Sequence, residues 1–473
     1  MTATWDVDIC VIGGGPAGST IGRCLAQLGH RVCIVEKTQF PRSHIGESLP
    51  PSILPLLESL GLLASIEQAG FLRTRRTLLR WASVQRDDPP PGAPQGFQVD
   101  RGRFDQLLLE AARQVGVIVF NPAKVQLPAS NPVDTWQVPL WINGCEHSVH
   151  ARLLVDASGK AGCLGGIRQR TASVTLAAFA YWSEVPFNGT ETRVEDGPEC
   201  WYWGAPLPDG TFNATVFFDP DRYKAVGRNG LEALYRSLLA GSSLLRDCLH
   251  GRLVQPVHCC DATSYASKEP VGNNWIKVGE ASFSIDPLSS QGVQTAMGTA
   301  VGAAAVINTL LHRPGSSDLA IEFYRTRQSE MIIRHHQLAT GSYALQQSYY
   351  DTLFWKRRAM NQLEPHPHVA SIALPLAELY PHSNVRLADC VRIVETGVLR
   401  NNYIESASAL IASHWDRPVA FVHEVPVAEF AESVRQPQRV VDILGKWSNR
   451  IPWDQCEAIL GWMWQSGLLE FQQ

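Results

Sequence analysis

The chain has 473 residues, 45% of them hydrophobic, and a formal net charge of −4. That length and apolar content allow two or three domains, or one large domain with an appendage. The charge excludes a whole-chain electrostatic footprint for nucleic acid, and no run of about 18 apolar residues is present to cross a membrane.

The first strand, around Val7 to Ile12, begins so close to Met1 that no room is left for a signal peptide. It runs into Gly13-Gly14-Gly15-Pro16-Ala17-Gly18 and a helix. Gly13 permits the tight turn, Gly15 lets the backbone approach a pyrophosphate, and Gly18 lets the helix pack close to the strand. The helix N-terminus offers unpaired amides to phosphate. A second apolar strand, Arg31 to Val35, ends at Glu36, roughly 20 residues on, where an acid accepts ribose hydroxyls. This is a dinucleotide site; the alternative is a glycine turn with a structural role only.

Phe40-Pro41-Arg42 and Gly46-Glu47-Ser48-Leu49-Pro50-Pro51 are too proline-rich for regular structure. Leu54 to Leu63 reads as a short amphipathic helix, and Asp87 to Pro94 as a polar surface loop. Val99 to Asp105 leads into a helix through Val115. Val117 to Phe120 and Leu153 to Val155 are strands, the latter followed by Asp156-Ala157-Ser158-Gly159. Between 171 and 268 the pattern becomes that of an antiparallel sheet, with strands at Ala177 to Trp182, Cys200 to Gly204 and Asn213 to Phe218. Trp275 to Val278 returns to a buried strand. Gly292 to Leu311 is a helix rich in Ala and Gly, and Leu319 to Met360 is largely helical. Pro365 and Pro367 mark a boundary. Beyond it, helical patterns near Asn401 to Trp415, Val427 to Val434 and Pro452 to Gln465, closed by the short apolar run at 468–471, suggest a winged-helix-like module.

The eleven cysteines form no CxxC pair, which fits reduced thiols in a cytoplasmic protein. His335-His336 and His366-Pro367-His368 lack the Cys or acidic spacing of a metal site, so no metal is expected. Of fourteen tryptophans, Trp201, Trp203, Trp453, Trp462 and Trp464 fall in two clusters. Core packing, an aromatic substrate pocket and a docking surface are the readings open for them. Arg73, Arg75, Arg76 and Arg80 form either a solvated basic loop or a dock for an acidic partner or substrate carboxylate.

Three distant segments fit one flavin site: the glycine turn with Glu36, Asp156 to Gly159, and Gly279-Glu280 followed by Asp286-Pro287 and Gly292-Val293. An acid after a strand can hold ribityl hydroxyls, and amides at a helix N-terminus stabilise negative charge on reduced flavin. With these motifs, the Gly-Glu-Ser-Leu-Pro-Pro loop and the Val-Asp-Arg…Phe-Asp segment at 99–105, the chain resembles the FAD-dependent halogenase and aromatic-hydroxylase superfamily over residues 1 to about 350. The resemblance implies an α/β fold: a Rossmann-type FAD domain (1–170 and 269–364), an inserted antiparallel substrate sheet (171–268) and a C-terminal module (365–473). It implies reaction of reduced FAD with molecular oxygen, and FAD contacts at Ser48 and Arg101. Lys37 and Val125 are added as cofactor contacts beside Gly13, Gly15, Pro16, Ala17, Gly18, Glu36, Asp156, Gly159, Gly279, Glu280, Pro287, Gly292 and Val293.

The departures from the family matter as much. Halogenases of the superfamily carry Trp-x-Trp-x-Ile-Pro; here Trp201-Tyr202-Trp203-Gly204-Ala205-Pro206 lacks the isoleucine. Thr74 falls where their lysine is needed, and the flanking arginines have no acid–base role at neutral pH. Their Ser-Thr-Gly or Ser-Ser-Gly halide turn is Ser290-Gln291-Gly292 here. A halogenase-like scaffold that inserts oxygen follows, acting on an electron-rich aromatic such as indole, with Trp201 and Trp203 as pocket walls. His44, Glu47, Arg73 and Arg75 are the candidate bases, each with a structural role as its alternative. Reducing power comes from NAD(P)H or a flavin reductase. The extra C-terminal module and the lost lysine make the chain similar to the maturation flavoproteins that hydroxylate a tryptophan within a protein or peptide. The alternatives are an indole or pyrrole halogenase, a flavin-bearing maturation chaperone, and an isoprenoid-type reductase, in which the tryptophan pair has no role.

Overall fold

The structure is a computed structural model. It describes residues 3–74, 76–82, 84–86, 92–126, 128–130, 135–187, 189–360, 380–415 and 417–472. Arg75, Pro365, the His366-Pro367-His368 segment and most of the Asp87 to Pro94 loop lie outside the described residues. The contacts divide the chain into two compact units. The first runs through residue 311 and resumes at Tyr324. The second combines His312–Phe323 with the described residues from 380 onward.

The core of the first unit is an eight-stranded sheet. Thr4–Ile12 lies between Val32–Val35 and Cys145–Asp156, parallel to both. Ile118–Phe120 and Trp275–Lys277 extend the parallel set on either side. All four residues of Val32–Val35 are buried, as helices on both faces of a parallel sheet require. Cys145–Asp156 extends well beyond the expected Leu153 to Val155, because its first half pairs antiparallel with Trp136–Ile142. The Leu54 to Leu63 helix stops at Ser59, and a second short helix, Leu63–Gln68, follows Gly61. Gly292–His312 is long and apolar enough to cross a bilayer by length and composition, but most of it is buried inside the fold.

The second sheet, also eight-stranded, holds Leu176–Ser183, Phe212–Phe218, Cys200–Pro206 and Thr192–Gly197 in antiparallel order. It also takes Thr77–Trp81, which pairs parallel with Thr192–Gly197 and lies outside the expected 171–268 segment. Side chains alternate across a strand. Ala178, Ala180, Trp182, Tyr202, Ala214, Val216 and Phe218 therefore face one way and pack on Leu231–Ala240. Phe179, Trp203, Asn213, Thr215 and Phe217 face the other way and line a cavity.

In the second unit the expected helix at Asn401 to Trp415 is instead a hairpin, Val391–Arg400 with Tyr403–Ala412. Asn401 and Asn402 turn it at φ 49° and 63°, the two left-handed residues of a type I′ turn. Arg313 bonds Glu405 at 2.7 Å and covers the Tyr403 ring at 3.7 Å. Asn384–Leu387 pairs with Leu469–Phe471 and with Gln438–Arg439. Ala428–Ser433, Val440–Trp447 and Trp453–Gln465 pack with that sheet around Trp447, Met463 and Trp464. Because glycine carries no penalty at positive φ, Asn402→Gly should stabilise the protein by about 0.5 kcal/mol, read as a higher urea midpoint at unchanged slope.

Candidate active site

The carboxyl ends of Thr4–Ile12, Val32–Val35, Cys145–Asp156 and Trp275–Lys277 open on one cavity of about 1030 Å³. That is the crevice where doubly wound sheets bind ligands. Gly13, Gly15, Pro16, Ala17, Glu36, Lys37, Ser48, Arg101, Val125, Gly159, Glu280, Pro287, Gly292 and Val293 all line it, as do His44, Glu47 and Trp203.

A ligand end rich in donors is built at the glycine turn. Pro16–Gln27 begins at Gly15 with no side-chain cap, so its first amides are open to the cavity. Glu36 Oε2 accepts from Gly14 N and Oε1 from Thr38 N, both at 2.8 Å, which fixes the carboxylate and leaves lone pairs for two hydroxyls. A Cβ on Gly15 would meet only an Arg42 terminal nitrogen, at 3.4 Å, so this glycine faces open space beside a guanidinium. Arg42 Nε is buried without a hydrogen-bond partner. These features fit a dinucleotide diphosphate and its ribose: an uncapped helix start, the unpartnered Nε of a guanidinium that pairs elsewhere with Asp105 at 3.4 Å, and a ribose acid.

Several expected contacts act one step back from the cavity. Gly18 is a packing residue, since its Cβ would lie 1.8 Å from the Gly13 carbonyl oxygen. Asp156 is fully buried and accepts from Ser158 N and Leu164 N at 3.0 Å, so it shapes the Ser158 to Leu164 loop. Gly279 donates to Thr299 Oγ1 at 3.1 Å and packs on Ala17. The Ser48 loop is held from behind. Arg101 is buried against Asp105 at 3.0 Å and donates to the Ile45 and Gly46 carbonyls at 2.8 and 3.3 Å.

At the other end the substrate sheet forms the wall. Trp201 does not belong to it, contrary to expectation. It is 1% exposed and stacks behind the wall residue Phe217, because it sits one register step deeper than Trp203 on the same strand face. Glu47 reaches this sheet: its Oε1 accepts from Tyr181 at 2.7 Å and Asn213 at 3.2 Å. Burial and the Glu47 charge push the Tyr181 phenol pKa up, so it remains the donor. His44 donates from Nδ1 to the Ile45 carbonyl, 2.8 Å away. Desolvation in the cleft and the Arg101 charge lower its pKa, favouring neutral imidazole.

Arg73 is removed from the candidate bases. It pairs with Glu67, donates to Gln95 O at 2.9 Å, lies over the Phe97 ring and does not line the cavity. Arg76 binds Glu191 at 3.1 Å and Arg80 binds Ser243 at 3.2 Å, so the basic loop is largely paired internally. Thr74 is also occupied. Gln98 Nε2, with two hydrogens to share, lies 3.3, 3.2 and 2.8 Å from Thr74 Oγ1, Ser48 Oγ and Thr192 Oγ1 and donates among the three hydroxyls. In the Ser290 turn the Gln291 backbone N–H donates to Ser289 Oγ at 3.3 Å.

The family model described as tryptophan halogenase matches residues 8–84 and 80–377. This chain belongs to the tryptophan halogenase family. It is a FAD-dependent, halogenase-like oxidoreductase. Within the family it is 32% identical over 366 residues to a tryptophan 2-halogenase of Chondromyces crocatus, covering 73% of this chain and 69% of that one. It is 27% identical to a 1H-pyrrole-2-carbonyl-[peptidyl-carrier protein] chlorinase of Pseudomonas fluorescens, over 62% and 74% of the two chains. The flavin-dependent halogenase CmlS shares the fold at a TM-score of 0.80 and 22% identity, covering 100% of this chain and 96% of that one. QhpG, a peptidyl tryptophan dihydroxylase essential for tryptophylquinone cofactor biogenesis, superposes at a TM-score of 0.78 and 25% identity, covering 98% and 100%.

Arg42, Phe179, Asn213 and Phe217 were not among the residues singled out from the sequence as site residues. Strand alternation from Trp203 points to the last three. The place of Arg42 just ahead of the Gly-Glu-Ser loop is the signal for the first.

Proposed function

We propose that this member of the family hydroxylates an electron-rich aromatic, an indole, and that the indole is a tryptophan side chain within a protein or peptide. The observation that carries the reading is Thr74: the position where halogenases need lysine holds a hydroxyl tied to Gln98. The engaged Gln291 backbone N–H and the likeness to QhpG, a peptidyl tryptophan dihydroxylase, support it. Reduced FAD supplies the activation of oxygen, with electrons from NAD(P)H or a flavin reductase.

The chain's own residues have separable tasks in this reading. Gly13, Gly15, Pro16, Ala17 and Arg42 hold the diphosphate, and Glu36 holds the ribose. Lys37, Val125, Ser48, Arg101, Gly159 and Glu280 enclose the rest of the cofactor. Pro287 and the first amides of Gly292–His312 face the ring system, where the helix dipole favours negative charge. Asp286 fixes that turn by accepting from Leu288 N at 3.0 Å and Tyr343 at 2.8 Å. Phe179, Trp203 and Phe217 form the wall on which the indole packs and help exclude water. Glu47 Oε2, which accepts from Gly46 N at 2.8 Å and keeps a lone pair, is the acceptor for the ring proton.

A tryptophan-containing peptide or partner protein is incubated with the enzyme, FAD, NAD(P)H, a flavin reductase and labelled oxygen gas, without halide. Intact mass should show one or two labelled oxygens. The family relatives favour a second reading, halogenation of an indole or pyrrole. A product mass that appears only with chloride or bromide would establish that reading and end the first.

A further inference from the structure

A row of aromatic rings leads from the cavity wall to the surface, and nothing in hydroxylation requires it. Phe217, on the wall, stacks on Trp201 with centroids 3.7 Å apart and planes 7° apart. Trp201 meets Trp81 edge-on at 6.3 Å, and Trp81 meets Trp355 at 5.6 Å. Trp355 stacks on Tyr350 at 6.4 Å and 17°. Tyr350 lies 5.2 Å from Tyr349, which is 60% exposed.

Tryptophan and tyrosine are the aromatic side chains most readily oxidised by one electron. Tunnelling decays exponentially with distance, so several short hops between touching rings outrun one long jump. Packing alone does not need this composition. Each buried indole brings an N–H that must be satisfied, and here Trp81 and Trp355 each spend theirs on a backbone carbonyl, Ser342 O and Gly197 O, at 3.0 Å.

We propose that this row is an outlet for oxidising equivalents, carrying electron vacancies from the cavity to Tyr349 and Tyr350. It rests on the flavin ring lying at the Phe217 end of the cavity, not on the identity of the substrate. A hydroperoxyl radical, left in the cavity when no substrate consumes it, takes one electron drawn from Trp201 through Phe217 and one proton from water, and becomes hydrogen peroxide. The vacancy passes to Trp81 and Trp355 and settles on a surface tyrosine, which releases its phenolic proton to water and becomes a neutral radical. A thiol in solution returns one electron and one proton and is itself oxidised to a thiyl radical, which pairs with another to form a disulfide. The oxidant is thereby spent without damage to the cavity.

Light replaces the oxidant in the test, so neither substrate nor reductase enters it. The FAD-loaded full chain is illuminated with blue light without oxygen, frozen and examined by electron paramagnetic resonance. The wild type should show a neutral tyrosyl radical. Tyr349→Phe/Tyr350→Phe, a change near the surface that leaves the core intact, should lose that signal and leave a tryptophan radical in its place. Trp355→Phe should also lose the tyrosyl signal at equal flavin content. A tyrosyl signal that persists in the double variant or in Trp355→Phe overturns the proposal, as does a wild type with bound flavin and no protein radical. Failure of peptide oxidation with a normal radical pattern would count against the hydroxylation reading alone.

Discussion

Gly13→Ala is expected to weaken FAD binding about 100-fold or more, and to lower the unfolding midpoint of the protein without FAD. Gly13 has φ +108°, and a Cβ there would lie 2.3 Å from the Ala157 carbonyl oxygen. The obstacle is backbone at the end of Cys145–Asp156, which pairs with Thr4–Ile12 along its length, so relief means parting two central strands. A strained backbone position costs about 1–3 kcal/mol and overpacking a similar amount, and each factor of ten in affinity is about 1.4 kcal/mol. Gly15→Ala separates fold from ligand, because its Cβ meets only Arg42. It should keep the wild-type midpoint and still bind FAD less tightly. Titration of flavin-free protein with FAD, followed by flavin fluorescence, reads both; wild-type affinity in Gly13→Ala would sink the assignment of this turn.

The second large effect is expected at Arg101. Burial opposes its charge, but Asp105, Glu47 and Glu280 hold its pKa above the ordinary arginine value, so it is cationic throughout the accessible pH range. Arg101→Met leaves Asp105 fully buried with only Arg42, at 3.4 Å, opposite it. Removing one partner of such a pair costs about 3–5 kcal/mol. It also releases the Ile45 and Gly46 carbonyls, so the loop carrying Glu47 and Ser48 should loosen and FAD affinity should fall with stability. Arg101→Met/Asp105→Leu should recover much of the stability, since no fully buried charge is then left unpaired and Arg42, which loses Asp105, is partly exposed to water, but it should not recover the loop. Urea denaturation of both variants checks this; equal stability of the single and double variants would contradict the buried-pair account.

The glycine turn, Glu36 and the Gly292 helix are legible in the sequence because each is dictated by local sterics or by a helix end, which few residues settle. The substrate strands are legible through alternation, as in Phe212–Phe218. What alternation does not give is depth: Trp201 and Trp203 share a face, and only the packing of Phe217 decides which one meets the cavity. Asn401 to Trp415 reads as helix because Ile404, Ala409, Leu410 and Ala412 are the buried positions of the hairpin's second strand, a spacing that does not alternate strictly. The Asn401-Asn402 turn is the better signal. Asp156 reads as a cofactor ligand from its place after a strand, yet its own loop takes up its lone pairs. Thr77–Trp81 forms a local hairpin with Val84–Arg86, but its place in the second sheet cannot be read from its neighbours, since the strand that joins it to that sheet lies more than a hundred residues on.

That distant pairing bears on how the protein is made. As the chain leaves the ribosome, Thr77–Trp81 emerges with the early FAD-binding elements but must wait for Thr192–Gly197 before its inner edge is paired. Trp275–Lys277 in turn closes the first sheet only after the second has been synthesised. Neither layer is finished without a segment from the far side of the other. Contacts of such long sequence separation slow folding, and a waiting strand edge invites the wrong partner. Cutting the gene between the two sheets would therefore yield no working half, and production of the whole chain should benefit from slow synthesis at low temperature.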